Sequence, residues 1–131
     1  MADISEKLRE DILRPFAKAW NNRDIDILMS FMKDDCLFIV SMGPDICVAR
    51  YTEMHTVRTA FSKVFTTFPD AHWSGGHHFI FEDRGVSEWT VTDTRANVTR
   101  VEVNRCDIFT FRGNKIAIKD SFRKNRTSRL V

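Results

Sequence analysis

The residue whose type and setting best suit chemistry is Asp107, in the run Cys106-Asp107-Ile108-Phe109-Thr110-Phe111. Val101 to Phe111 alternates apolar and polar residues, the period of a half-buried strand, in which alternate side chains share a face. Val101, Val103, Arg105, Asp107, Phe109 and Phe111 then line one face, and Glu102, Cys106, Ile108 and Thr110 the other. A carboxylate in line with two phenylalanines is either tethered to a partner or lodged in an apolar pocket that raises its pKa and equips it as an acid or base.

The histidines and the remaining charges are the next candidates. His77 and His78 are adjacent, so on a strand they point to opposite faces and cannot chelate one metal together; no metal site is expected. His72 and His78 share parity, and His78 is the candidate for the cavity, as a general base or hydrogen-bond partner near neutral pH. His55 reads as a surface residue at the start of a helix. Glu88 shares a face with Thr90 and Thr92 and is expected to form a structural pair with Arg105 or another cation of a neighbouring strand. Asp70, after Pro69, reads as a cap for backbone donors. Arg50 and Arg105 are expected at the surface or on a dimer face, although an arginine inside a cavity would select an anionic substrate.

Several elements must position these groups. Ile4, Leu8, Ile12, Leu13, Phe16, Ala17 and Trp20 recur at helical spacing, and Pro15 is expected to kink that helix. Asn21-Asn22-Arg23 breaks it, and Asp24 can cap a short second helix from Ile25 to Met32. After a turn at Lys33-Asp34-Asp35, a strand from Cys36 to Met42 turns at Gly43-Pro44-Asp45 into Ile46 to Tyr51. Met54 to Phe68 returns to helical spacing until Pro69 ends it. Strands then follow at His72 to Phe81, Gly85 to Thr94 and Asn97 to Phe111, the last folding back at Arg112-Gly113-Asn114-Lys115 onto a strand through Phe122. Helices first and antiparallel strands after argue for an α+β domain with a curved sheet around the helices.

Composition bounds the function. With 131 residues, 43% of them hydrophobic, the chain reads as one domain, 1–131, with a real core. A net charge of +2 is too mild to imply nucleic acid. From Arg112 onward seven cations, Lys119 among them, face only Asp120, which reads as a solvated or dimer-pairing basic edge. Cys36, Cys47 and Cys106 are odd in number and lack CxxC spacing, so neither a disulfide framework nor a zinc cluster is suggested. The charged N-terminus has no apolar h-region and no run of eighteen apolar residues occurs, so a cytoplasmic protein with no membrane partner is expected. Eleven phenylalanines and three tryptophans suit an aromatic core or a pocket for a flat, apolar molecule.

The runs AWNNRDIDILMSFMKDDCLF, FTTFPDAHW, DRGVSEWT and CDIFTFRGNKIAIKDSFRK together resemble the SnoaL-like branch of the NTF2-like superfamily, the cone-shaped fold shared by ketosteroid isomerase, scytalone dehydratase and polyketide cyclases. The resemblance implies three N-terminal helices packed in the concave face of a curved, mostly antiparallel sheet. It implies a cofactor-independent lyase, isomerase or cyclase acting by proton transfer on a small carbonyl compound, or alternatively a non-catalytic ligand-binding or dimerisation module. Asp107 matches the family's Asp-x-Phe-x-Phe strand, whose aspartate in ketosteroid isomerase is kept protonated in an oxyanion hole. That enzyme's tyrosine position falls on Phe16 and its general base close to Val40, so the chain is not a standard ketosteroid isomerase. The helix aspartate of the dehydratases falls at Asn21, whereas the cyclases' strand aspartate is supplied by Asp107 alone. On this basis Asp107 and His78 are the catalytic candidates. Phe16, Trp20, Val40, Phe61, Trp73, Trp89 and Phe109 are expected to line the substrate pocket, and a homodimer through the open sheet face is implied.

Overall fold

A computed structural model describes residues 4–41, 49–94, 99–124 and 129–130. Three helices, α1 (Ile4–Asn21), α2 (Ile25–Ser30) and α3 (Met54–Thr67), accompany strands β1 (Met32–Ile39), β2 (Arg50–Thr52), β3 (His72–Phe81), β4 (Arg84–Thr94), β5 (Thr99–Arg112), β6 (Lys115–Arg123) and β7 (Arg129–Leu130). The sheet runs in the order β2-β1-β6-β5-β4-β3, with β7 beside the start of β5. Every pairing is antiparallel except β1 with β6, because the chain returns from the second half of the sheet to close against its first strand.

Helix α1 runs through Pro15 without interruption, with Pro15 on its exposed side, where the missing N–H meets no buried acceptor. Its inner stripe, Leu13, Phe16 and Trp20, drops into the concave face of the sheet. Phe16 sits at the centre of the core: its ring meets those of Trp20, Phe31, Phe61 and Phe109 edge-on, with centroids 6.3, 6.2, 6.4 and 5.8 Å away. Asp24 caps α2 as expected, its carboxylate accepting from the Ile27 N–H. Helix α2 stops at Ser30, and Lys33-Asp34-Asp35, expected as a turn, lies in β1. These charged residues fall in an irregularity of the parallel pairing with β6, between Met32 opposite Ile116 and Leu37 opposite Ile118. The Gly43 turn and Cys47 lie outside the described residues.

Two irregularities decide which side chains reach the concave face. Between Ser74 and His77 the β3–β4 register shifts around Gly75, whose φ of +66° suits glycine. Trp73 is inward before this bulge, and His78 and Ile80 after it, so His72 and His78 lie on opposite faces, contrary to their shared parity in the sequence. A second shift at the start of β6 sets Ile116 opposite Phe111 but Ile118 opposite Thr110. Ala117, Lys119 and Ser121 thereby become the inward residues of β6, and all three are buried. The convex face leaves Phe79, Phe81 and Phe122 exposed. Among the described residues no helix is long and apolar enough to cross a membrane.

Candidate functional site

The inward residues of β5 meet the rest of the sheet in register: His78 on β3 lies opposite Ser87 on β4, Ser87 opposite Asp107 on β5, and Asp107 opposite Ser121 on β6. One polar row thus crosses four adjacent strands within an otherwise apolar face. Asp107 is 3% exposed and Lys119 5%. The Asp107 carboxylate accepts from Ser121 Oγ at 2.6 Å and Lys119 Nζ at 3.1 Å through one oxygen, and from Trp89 Nε1 at 3.0 Å through the other. Lys119 also donates to Ser121 Oγ at 2.8 Å. At the row's far end His78 Nδ1 lies 2.8 Å from Ser87 Oγ, with its ring edge-on to Trp89.

Of the two settings open to Asp107, tethered or apolar, the tethered one holds. Burial pushes its carboxyl upward, but the Lys119 ammonium, the Arg105 guanidinium and the Ser121 hydroxyl outweigh burial and hold it below the usual carboxylate range. Burial pulls Lys119 below the ordinary lysine value, an effect that Asp107 opposes without cancelling. Burial likewise lowers His78, and Arg14 adds to this. Near neutral pH the row therefore holds a carboxylate, paired with Lys119, and a neutral imidazole.

Two cavities adjoin the row. The larger, about 290 Å³, opens between α3 and the sheet and is walled by apolar Phe38, Val40, Tyr51, Val64, Phe68, Trp73 and Val91, with Lys63, Asp93, Arg105 and Arg123 among its polar residues. A small one of about 30 Å³ lies at the floor, bounded by Trp20, Trp89, Asp107 and Lys119 and sharing Phe38, Val64, Trp73 and Arg105 with the mouth. Of the residues expected to line a pocket, Trp20, Trp73, Trp89 and Val40 do so. Phe16, Phe61 and Phe109 do not: they are fully buried and packed ring against ring in the core, facing neither cavity. Asp107 reaches the floor, whereas His78 lines neither cavity.

Other expectations also change. Lys119, read as part of the solvated basic edge, is the buried partner of Asp107 because of the shift in β6. Glu88 cannot pair with Arg105: Glu88 is exposed on the convex face opposite Cys106, while Arg105 points inward opposite Trp89 and Arg123. Arg105 is a wall of both cavities, not a surface residue. Asn21 is not free to orient a histidine, since its amide donates to the Trp73 carbonyl and accepts from the Trp73 N–H, both at 2.8 Å. Asp70 accepts from the Thr94 N–H and pairs with Arg100, the shaping role expected of it. His55 is exposed. Cys36 is buried and unpaired, and Cys106 is half-buried and unpaired. Among the described residues no three His, Cys, Asp or Glu side chains gather as metal ligands.

The polar row, the helix-filled cone and the sheet order coincide with a family match: the SnoaL-like domain model aligns with residues 13–118. The chain belongs to the SnoaL-like domain family. Solved structures share its NTF2-like fold. An NTF2-like protein of unknown function from Mesorhizobium loti superposes with a TM-score of 0.79 at 17% identity, over 95% of this chain and 98% of that one. A protein described as a candidate polyketide cyclase, from Xanthomonas campestris, gives 0.80 at 14% identity, over 92% and 93%. TerC, co-crystallised with polyporic acid, gives 0.75 at 15% identity, over 89% and 92%. At these identities the likeness is one of fold. No curated protein matches significantly.

The ion pair of this SnoaL-like domain makes a stability prediction. Lys119→Met should cost about 3–5 kcal/mol, because it strands a buried carboxylate, and the double variant Lys119→Met/Asp107→Leu should recover most of that loss. Asp107 titrates lower in the folded chain than in the unfolded one, where carboxylates titrate near ~3.9. Its contribution is therefore complete above that value and lost as pH falls through the folded one. Urea midpoints measured against pH should fall more steeply in acid for the wild type than for the double variant.

Proposed function

We propose that the cone is a binding site for a small apolar or aromatic organic anion. The observation that carries this reading is Arg105, a half-buried inward guanidinium on the wall of both cavities that forms no ion pair within 4.0 Å among the described residues. Its guanidinium donates a long hydrogen bond of 3.5 Å to Ser41 Oγ. It stands opposite Arg123 of β6, which also borders the mouth, and the planar fork of its guanidinium suits two parallel hydrogen bonds to a carboxylate. Lys63 adds a further cation at the mouth. The apolar walls and the volume, at the small end of the range for ligand sites, suit a molecule of one or two rings. The co-crystallisation of TerC with an organic acid agrees with this choice.

The non-catalytic class is preferred because the carboxylate best placed for proton transfer is tethered by Lys119, Ser121 and Trp89. One observation favours a second reading, a cofactor-independent lyase, isomerase or cyclase acting on a small carbonyl compound: Asp107 and Lys119 both border the floor, and burial makes Lys119 a readier proton donor than an exposed lysine. We also propose that the convex face, with exposed Phe79, Phe81 and Phe122 and with charges of both signs at Glu88 and Lys124, pairs with a second copy of the chain.

Calorimetric titration tests the binding reading. 2-Naphthoate should bind about tenfold more tightly than naphthalene-2-carboxamide, as expected for a charge-assisted contact, and Arg105→Gln should remove that preference. Equal affinity for the two in the wild type would overturn it. For the second reading the measurement is proton NMR of 2-acetylnaphthalene in deuterated buffer. No protein-dependent exchange of the methyl protons is expected, and exchange above the buffer rate that Asp107→Asn abolishes would put catalysis first. Sedimentation should show a dimer that Phe79→Asp/Phe122→Asp converts to monomer with an unchanged circular dichroism spectrum. A monomeric wild type would sink the pairing.

A further inference from the structure

The floor cavity is lined by one buried N–H donor with no acceptor among the described residues and by an ammonium whose third N–H meets only aromatic rings. Trp20 is 4% exposed and lines this cavity, and its indole N–H has no acceptor among the described residues. A buried donor left in this condition is costly, and native structures keep few of them. Lys119 brings three N–H donors. Asp107 engages one at 3.1 Å and Ser121 another at 2.8 Å. The remaining one is left among aromatic rings, with Nζ 4.8 Å from the Phe38 centroid and 5.3 Å from that of Trp20.

Trp20 and Lys119 both line a space of about 30 Å³, room for a single oxygen-sized group. Asp107 compensates the charge of Lys119, so the donors of Trp20 and Lys119 call for an acceptor atom and not for a second full charge. We infer that the floor is a subsite for one ligand oxygen, phenolic or carbonyl, which accepts hydrogen bonds from Trp20 Nε1 and Lys119 Nζ. This inference rests on the binding reading for the mouth and deepens it. The acid group stays beside Arg105 while the opposite end of the same molecule carries the inner oxygen. The ligand class is then an aromatic acid with a hydroxyl or carbonyl group at its far end. The Phe16 and Val40 positions, which bear no hydroxyl or carboxyl group, are not needed for this arrangement.

Calorimetric titration with 6-hydroxy-2-naphthoate and 2-naphthoate, which differ only in that oxygen, tests the subsite. The hydroxy acid should bind the wild type about tenfold more tightly. Trp20→Phe keeps the ring and removes the N–H, and it should bring the two acids to similar affinities. An indole resonance in the nitrogen–proton NMR spectrum, assigned by its loss in Trp20→Phe, should shift with the hydroxy acid and not with 2-naphthoate. Equal binding of the two acids by the wild type overturns the floor subsite while leaving the mouth reading intact, and so does a hydroxyl advantage that survives Trp20→Phe. If neither acid binds, the mouth reading fails and the subsite falls with it.

Discussion

The interior of this protein is organised around a buried ion pair. Removing an ammonium and a carboxylate from water is expensive, and their attraction compensates only where the remaining hydrogen-bonding positions are filled. Asp107 and Lys119 meet that condition through Ser121, which bonds to both, and through the indole N–H of Trp89. These contacts require β4, β5 and β6 to hold one register, because a slip of one residue would turn each of these groups to the convex face. The pair is a weak argument for stability and a strong one for register: alternative pairings would bury one charge without the other.

The same pair shapes the chemistry available in the cone. A carboxylate ionised by its neighbours is a poor proton acceptor, so the position that resembles the acid–base aspartate of the family holds a charge that is already neutralised. Other polar groups border the cavities on either side of it. Towards the mouth stand Arg105 and its cross-strand neighbour Arg123, and towards the floor the indole of Trp20 and the third N–H of Lys119. The aromatic residues divide in the same way. Phe61 and Phe109 pack edge-on against Phe16 in the core, while Trp20, Trp73 and Trp89 border the floor cavity. A small cone can thus be apolar in its walls and still specific through a few buried donors.

Much of the fold was readable along the chain because its elements are long and regular. Helix α3 ends within a residue of the reading, at Thr67 before Pro69, and β3 has the bounds that alternation and turn residues indicated. The inward face of β5 follows from parity alone, so Asp107 could be singled out beside Phe109 and Phe111. Parity failed where the register shifts. The Gly75 bulge turned His78 inward while His72 stayed outward, and the shift after Ile116 hid Lys119 among residues that looked solvated. A weak signal existed at both places, in the paired glycines Gly75-Gly76 and in Ile116-Ala117-Ile118, where three apolar residues in succession break the period of two.

By itself, then, the sequence determined the α+β class, the order of helices and strands, the family resemblance and the presence of one carboxylate on an apolar face. These follow from local periodicity and turn chemistry, which act over a few residues. Only the tertiary structure decided that this carboxylate has a lysine partner, that Arg105 faces a cavity, and which aromatic residues are core and which are wall. Those outcomes depend on strands from distant parts of the chain meeting in one register, and a single extra residue in one strand exchanges inside for outside.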